Sequence, residues 1–178
     1  MKKYFLCAFL VFGLILSGPV LAEEERFFPE DTLNAPEDEA HKEYLGIEGQ
    51  DTFVIQDVEA DLAIVQLFSM YCPICQREAR SVNELYELIH EQGLSDRIKL
   101  FGLAPGNSRF EVGVFRDQYD VPFPLIPDPD FEWHQRLGEV GTPTYIVVKT
   151  EDASVLKSHT GPFPEGPQGF LQSVAELL

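Results

Sequence analysis

The chain has 178 residues, 44% hydrophobic and 24% charged, enough apolar material for one cored domain and too much for a disordered chain. Its 30 Asp and Glu outnumber 13 Lys and Arg, for a net charge of −17. Such a chain repels polyanions, which excludes nucleic acid and disfavours anionic membrane surfaces, and solubility is the plain reading of the charge.

Residues 1–22 differ from the rest. Lys2 and Lys3 precede an apolar run from Tyr4 to Leu16 that contains Cys7. Ser17-Gly18-Pro19 breaks that run, and Val20-Leu21-Ala22 leads into Glu23-Glu24-Glu25. This is the layout of a cleavable signal peptide, cut after Ala22, and it implies export to a periplasm-like compartment. The run is short for a membrane span, which needs about 20 apolar residues, so an uncleaved anchor is the weaker alternative. Cys7 lies too early to be a lipoprotein cleavage cysteine. Its removal would leave Cys72 and Cys75 as the only cysteines.

Residues 23–50 read as an acidic N-terminal leader, with Pro29, Pro36 and no sustained apolar period, and with room for a short helix at Glu37–Leu45. Residues 51–178 read as the folded domain. Thr52–Ile55 with Val58 suggests a first strand. Leu62–Phe68 is a nearly continuous apolar run, the pattern of a strand buried on both faces. A helix follows to about Gln92, with Ala79, Val82, Leu85, Tyr86 and Ile89 on one face and Gly93 as its stop. Ile98–Leu103 is a third strand. Ser108 and Glu111 form a capping box for a helix to Tyr119. A short extended piece at Phe123–Ile126, a short helix at Phe131–Leu137, strands at Thr144–Lys149 and Val155–His159, and a closing helix at Gly166–Leu178 complete the order. Strands alternating with helices, then a hairpin and a last helix, predict an α/β fold with a mixed sheet.

The chemistry sits at Cys72-Pro73-Ile74-Cys75, where a strand ends and a helix begins. Unpaired N–H groups and the positive end of the helix dipole stabilise a thiolate there, and a thiol pKa near ~8.5 falls to roughly 3.5–7.5 in such sites. Pro73 suits the first helical position. Cys75 lies one turn on, so the pair can close into a disulfide, but a loop this short adds little as a structural staple. The implied reaction is thiol–disulfide exchange: Cys72 attacks, a mixed disulfide forms, Cys75 resolves it. Zinc needs four ligands, and His41, His90, His134 and His159 stand singly, each reading as a surface or packing residue. Phe131-Glu132-Trp133-His134 reads as helix packing, since no phosphate-binding glycine loop accompanies it.

Phe68-Ser69-Met70-Tyr71-Cys72-Pro73-Ile74-Cys75 resembles the thioredoxin active-site segment, and Gly141-Thr142-Pro143-Thr144 resembles the cis-proline loop of that superfamily. Cys75-Gln76-Arg77-Glu78 and Val121-Pro122-Phe123-Pro124-Leu125 are similar to the exported TlpA-like branch. The resemblance covers about 51–178 and implies a thioredoxin-like fold: a mixed central sheet flanked by helices, with an extra β–α insertion between the C-x-x-C and the cis-proline loop. It implies a cis Pro143 facing the redox disulfide Cys72–Cys75, with Thr142 offering backbone groups to a docked substrate. Tyr71 stands where Trp is usual and keeps an aromatic cover. Glu78 reads either as an acid that handles the Cys75 proton or as an ordinary solvated helix carboxylate. Gln66 stands where thioredoxin has a buried acid, and an amide cannot accept that proton. Pro73-Ile74 replaces Gly-Pro, a dipeptide that influences the redox potential.

These readings together imply an exported disulfide reductase that needs no cofactor or metal and acts as a monomer. Its partners would be protein disulfides or thiols and a membrane-linked electron donor. Two alternatives stay open. Ser69 and Cys72 echo a peroxiredoxin's peroxidatic segment, but Val65 stands where that family has Pro, and Cys75 is too close for the usual resolving partner. Two cysteines on one turn also suit Cu(I) delivery. Related copper carriers space them wider and add a dedicated His, which neither His134 nor His159 resembles by context.

Overall fold

The structure, a computed structural model, describes residues 26–178, so the expected signal peptide lies outside the described residues. In chain order the elements are β1 (Leu33–Asn34), α1 (Glu39–Leu45), β2 (Thr52–Phe53), β3 (Leu62–Leu67), α2 (Pro73–Glu91), β4 (Ile98–Pro105), α3 (Arg109–Tyr119), β5 (Leu125–Asp128), α4 (Glu132–Arg136), β6 (Thr144–Lys149), β7 (Val155–Thr160) and α5 (Gly166–Ala175).

The central sheet runs β5-β4-β3-β6-β7. β3, β4 and β5 are parallel, while β6 is antiparallel to both β3 and β7. β3 is buried along its whole length, as its apolar run predicts. Its alternate residues feed two cores. Leu62 and Ile64, with Phe68 just past the strand, face Cys75, Ala79, Val82, Leu85 and Ile89 of α2, Val112 and Phe115 of α3, and Phe170, Leu171 and Val174 of α5. Ala63, Val65 and Leu67 face the opposite layer, with Leu45 of α1 and Trp133 of α4. Each fully buried aliphatic side chain contributes about 1.5–3 kcal/mol, so the apolar stripe of α2 is enough to hold that helix against the sheet. Gly102 of β4 is required by close approach: a Cβ there would stand 2.6 Å from Leu125 and 2.9 Å from Phe68.

The stretch expected as a leader packs on the sheet from residue 26 onward. Phe28 N–H donates to the Ala153 carbonyl at 2.8 Å, and Phe28, Leu33, Leu45 and Ile47 are wholly buried in the second core. α1 forms within it, capped by the Asp38 side chain and closed by Gly46 in the left-handed region. Tyr44 of α1 also finishes the sheet. β5 pairs with β4 only from Gly102 onward, and the Leu100 N–H beyond it donates to the Tyr44 hydroxyl at 2.8 Å. The strand expected over Thr52–Ile55 is shorter, only Thr52–Phe53. The Asp57 carboxylate accepts from Val54 N–H at 2.8 Å and turns Ile55–Asp57 into a single 3₁₀ turn.

Candidate active site

Cys72 is the N-cap of α2, and Pro73 occupies the first turn. The Cys75 N–H donates to Cys72 Sγ at 3.2 Å. A capping position normally taken by a Ser or Asp oxygen is thus filled by sulfur, so the helix end itself favours a thiolate. As a thiol, Cys72 donates to the Thr142 carbonyl at 3.2 Å. Both cysteines are unbonded thiols, Cys72 partly exposed and Cys75 wholly buried.

The two sulfurs are therefore chemically unequal. For Cys72, burial opposes ionisation, but hydrogen bonds from the Cys75 and Thr142 side chains and from the Cys75 and Ile74 amides outweigh it, and its pKa is lowered. For Cys75, burial leads, followed by the hydrogen bond with Cys72, and together they push its pKa up to about 12. One thiol is poised to attack, and the other holds its proton.

Sheet register brings the cis-proline loop to this pair. Leu67, the last residue of β3, lies opposite Thr144, the first of β6, so the loops at 68–72 and 141–143 leave the sheet side by side. The Thr142–Pro143 bond is cis. The Pro143 carbonyl accepts from Gly161 N–H at 2.9 Å, and Thr144 Oγ1 donates to the Gly141 carbonyl at 2.6 Å, which ties the loop at both ends.

The active-site loop has a support that the sequence reading missed. Asn107, wholly buried, accepts from Met70 N–H at 2.8 Å and donates to Ser69 Oγ at 3.1 Å. Tyr71, largely exposed, donates its hydroxyl to the Glu111 carboxylate. Glu111 also accepts from Ser108 N–H at 2.7 Å in the expected capping box, so one carboxylate joins α3 to Tyr71 of the cysteine loop. The only sequence signal for this was the Asn107-Ser108 pair before a helix.

Glu78 lies on α2 one turn beyond Cys75, half-buried and without an ion pair among the described residues. Gln66 is buried and faces Tyr145 across the β3–β6 register. A cleft of about 430 Å³ opens beside Tyr71 and Thr142, walled on its far side by Phe131, His134 and Glu139. Among the described residues no group of three or more His, Cys, Asp or Glu converges as a metal site, and no helix is long and apolar enough to cross a membrane.

Known proteins resemble this chain. The family model described as Redoxin matches residues 41–176. The thiol-disulfide oxidoreductase ResA of Halalkalibacterium halodurans is 26% identical over 119 residues, 67% of this chain and 64% of that protein, so the match spans just under two thirds of that relative. ResA of Bacillus cereus is 24% identical over 163 residues, 90% of this chain and 91% of that protein. The crystal structure of StoA from Bacillus subtilis superposes with a TM-score of 0.60 at 18% identity, covering 82% of this chain and 97% of StoA. The mixed sheet, the flanking helices and the match over most of the chain lead to one assignment: the chain belongs to the Redoxin family, as a thioredoxin-fold oxidoreductase.

Proposed function

We propose that this protein is an exported disulfide reductase that exchanges disulfides with protein thiols through Cys72 and Cys75. The observation that carries the reading is the inequality of the two sulfurs: Cys72 capping α2 with a lowered pKa, Cys75 buried with its own raised to about 12. Such a pair attacks with one thiol and keeps the other in reserve.

In this reading the Cys72 thiolate attacks a substrate disulfide, forming a Cys72–substrate bond and releasing one substrate sulfur as a thiol. Cys75 then loses its proton and attacks Cys72 Sγ. The mixed disulfide breaks, the Cys72–Cys75 disulfide forms, and the second substrate thiol leaves. Two electrons pass from the pair to the substrate, and no cofactor is needed. The Thr142 carbonyl, within 3.2 Å of Cys72 Sγ, and the cis Pro143 beside it form the edge against which an extended substrate segment docks. Tyr71 covers the approach, and the neighbouring cleft receives the residues flanking the substrate cysteine. Glu78 takes up the Cys75 proton. The signal-like residues 1–22 support export, and a membrane-linked donor would return electrons to the monomeric protein.

The reduction potential of the Cys72–Cys75 pair, measured in dithiothreitol or glutathione buffers, tests the direction. A reductase should lie near or below ~−270 mV, the range of thioredoxin. A value near ~−120 mV would make the protein an oxidant and end the reductase reading.

A further inference from the structure

Phe131 stands where local chemistry calls for another residue. It is the N-cap of α4, with φ 59 and ψ 23 in the left-handed region, and its side chain makes no capping hydrogen bond. A Ser or Asp would cap the helix, and a Gly would take that φ without strain. Among the described residues four non-glycines have such a φ: Asp120, Phe131, Glu139 and Ala153. Asp120 closes α3, where an Asp is at ease, and Ala153 lies between β6 and β7. Phe131 and Glu139 are the other two, and both line the 430 Å³ cleft beside Tyr71 and Thr142.

Core packing does not account for Phe131 either. It is 46% exposed, whereas Trp133 of the same helix is buried. The backbone that holds it is fixed on several sides. Phe131 N–H donates to the Asp128 carbonyl at 3.2 Å, and the Phe131 carbonyl accepts from Gln135 N–H at 3.0 Å. The buried Asp128 carboxylate accepts from the Trp133 and His134 N–H groups at 3.2 and 3.0 Å. The far end of the ring rests on Gly106, where a Cβ would overlap it. A strained but over-determined backbone that keeps a large ring at the wall of an open cleft marks a ring retained for what it touches.

The chemistry of the cleft defines what fits. It begins at Thr142, whose carbonyl lies 3.2 Å from Cys72 Sγ. An extended segment rises about 3.3 Å per residue, so a side chain one or two residues from the substrate cysteine reaches it. Pro105, Phe131 and Val140 make its walls apolar. Its carboxylate is the exposed Glu139, which has no ion pair among the described residues, and no Lys or Arg lines it. The His134 ring is occupied, its Nε2 within hydrogen-bond distance of the Val140 carbonyl at 2.9 Å. A long basic side chain matches both parts: its carbon stem covers the apolar wall, and its head meets an aromatic ring and a carboxylate.

We propose that Phe131 and Glu139 form a specificity subsite for a Lys or Arg within two residues of the substrate cysteine. The inference deepens the proposed reductase reading and rests on the docking edge assigned there to Thr142. Phe131 supplies the surface on which the stem and the cation lie, and Glu139 supplies the opposite charge.

The test uses short capped peptides joined as symmetrical disulfides through a central cysteine. All other positions are Ala except one, which is Lys, Arg, norleucine, Ala or Glu and is moved over the two positions on either side. Oxidation of reduced protein by excess peptide is stopped with N-ethylmaleimide at timed intervals and read by intact mass. At low salt and the favoured position, Lys and Arg peptides should react about five- to tenfold faster than norleucine, and Glu slowest. Norleucine should exceed Ala by about threefold, the contribution of the apolar wall. Raising the salt to about 0.5 M should shrink the Lys/norleucine ratio and spare the norleucine/Ala ratio. Glu139→Gln should lower the first ratio alone, whereas Phe131→Gly should lower both. Glycine suits φ 59, so that variant folds, and ratios within one variant cancel any change in Cys72 reactivity. Equal rates for Lys and norleucine at every position in the wild type would overturn the proposal. So would a Lys preference that both variants retain, which would assign it to the net charge of −17. If no peptide oxidised the reduced wild-type protein, the reductase reading would fall and this inference with it, a result distinct from the other two.

Discussion

The unequal cysteines predict a large and specific difference in reactivity. Raising the Cys75 pKa from its ordinary 9.0 to about 12 reduces its thiolate fraction at pH 7 from about 1% to about 10⁻⁵, roughly a thousandfold. Cys72 moves the other way, so its thiolate fraction exceeds that of an ordinary cysteine. Reduced protein treated with iodoacetamide at pH 7 should therefore gain one adduct, mapped to Cys72, and react at Cys75 at least ~10³ times more slowly. Timed quenching and intact-mass analysis read this directly. In urea both cysteines should react alike, because burial is the leading cause of the Cys75 shift and unfolding removes it. The same shift has a stability consequence. The folded chain keeps the Cys75 proton between pH 9 and about 12, whereas the unfolded chain gives it up. The stabilisation is thus complete below pH 9 and is lost as pH rises towards about 12. Three units correspond to an upper bound on the order of 4 kcal/mol. Buried Tyr44, its pKa also raised chiefly by burial, acts in the same direction at higher pH. Urea midpoints should fall between pH 8.5 and 10.5. A second adduct that forms as fast as the first in the folded protein at pH 7 would refute the reasoning.

Two substitutions test the rest of the argument. Cys75→Ser should accumulate mixed disulfides on Cys72, visible as reductant-sensitive species on non-reducing gels, whereas Cys72→Ser should show neither trapping nor exchange. Equal loss of exchange in both without trapping would reject the assigned roles. Leu45→Ala should cost about 2–5 kcal/mol in urea unfolding, because Leu45 is fully buried where α1 meets the sheet. A cost under about 1 kcal/mol would show that residues 26–50 do not pack as described.

What could be read in advance was whatever depends on neighbours along the chain. The period of α2 marks the face it buries, the Ser108–Glu111 box starts α3 where expected, and the cysteine pair falls at a strand-to-helix junction. The hidden features depend on register between segments far apart in sequence. Asn107 reaches Met70 because β3 and β4 run parallel with Leu67 beside Leu103, so both loops leave the same end of the sheet. Neither segment contains a sign of the other. Residues 26–50 were hard to read for another reason. They cover the sheet with turns, one two-residue strand and the short helix α1, and Phe28, Leu33, Leu45 and Ile47 reach the core with irregular spacing, so no sustained period of 2 or 3.6 develops. Local pattern locates Cys72 because capping is local, but the support of its loop by Asn107 is decided by which strands lie side by side.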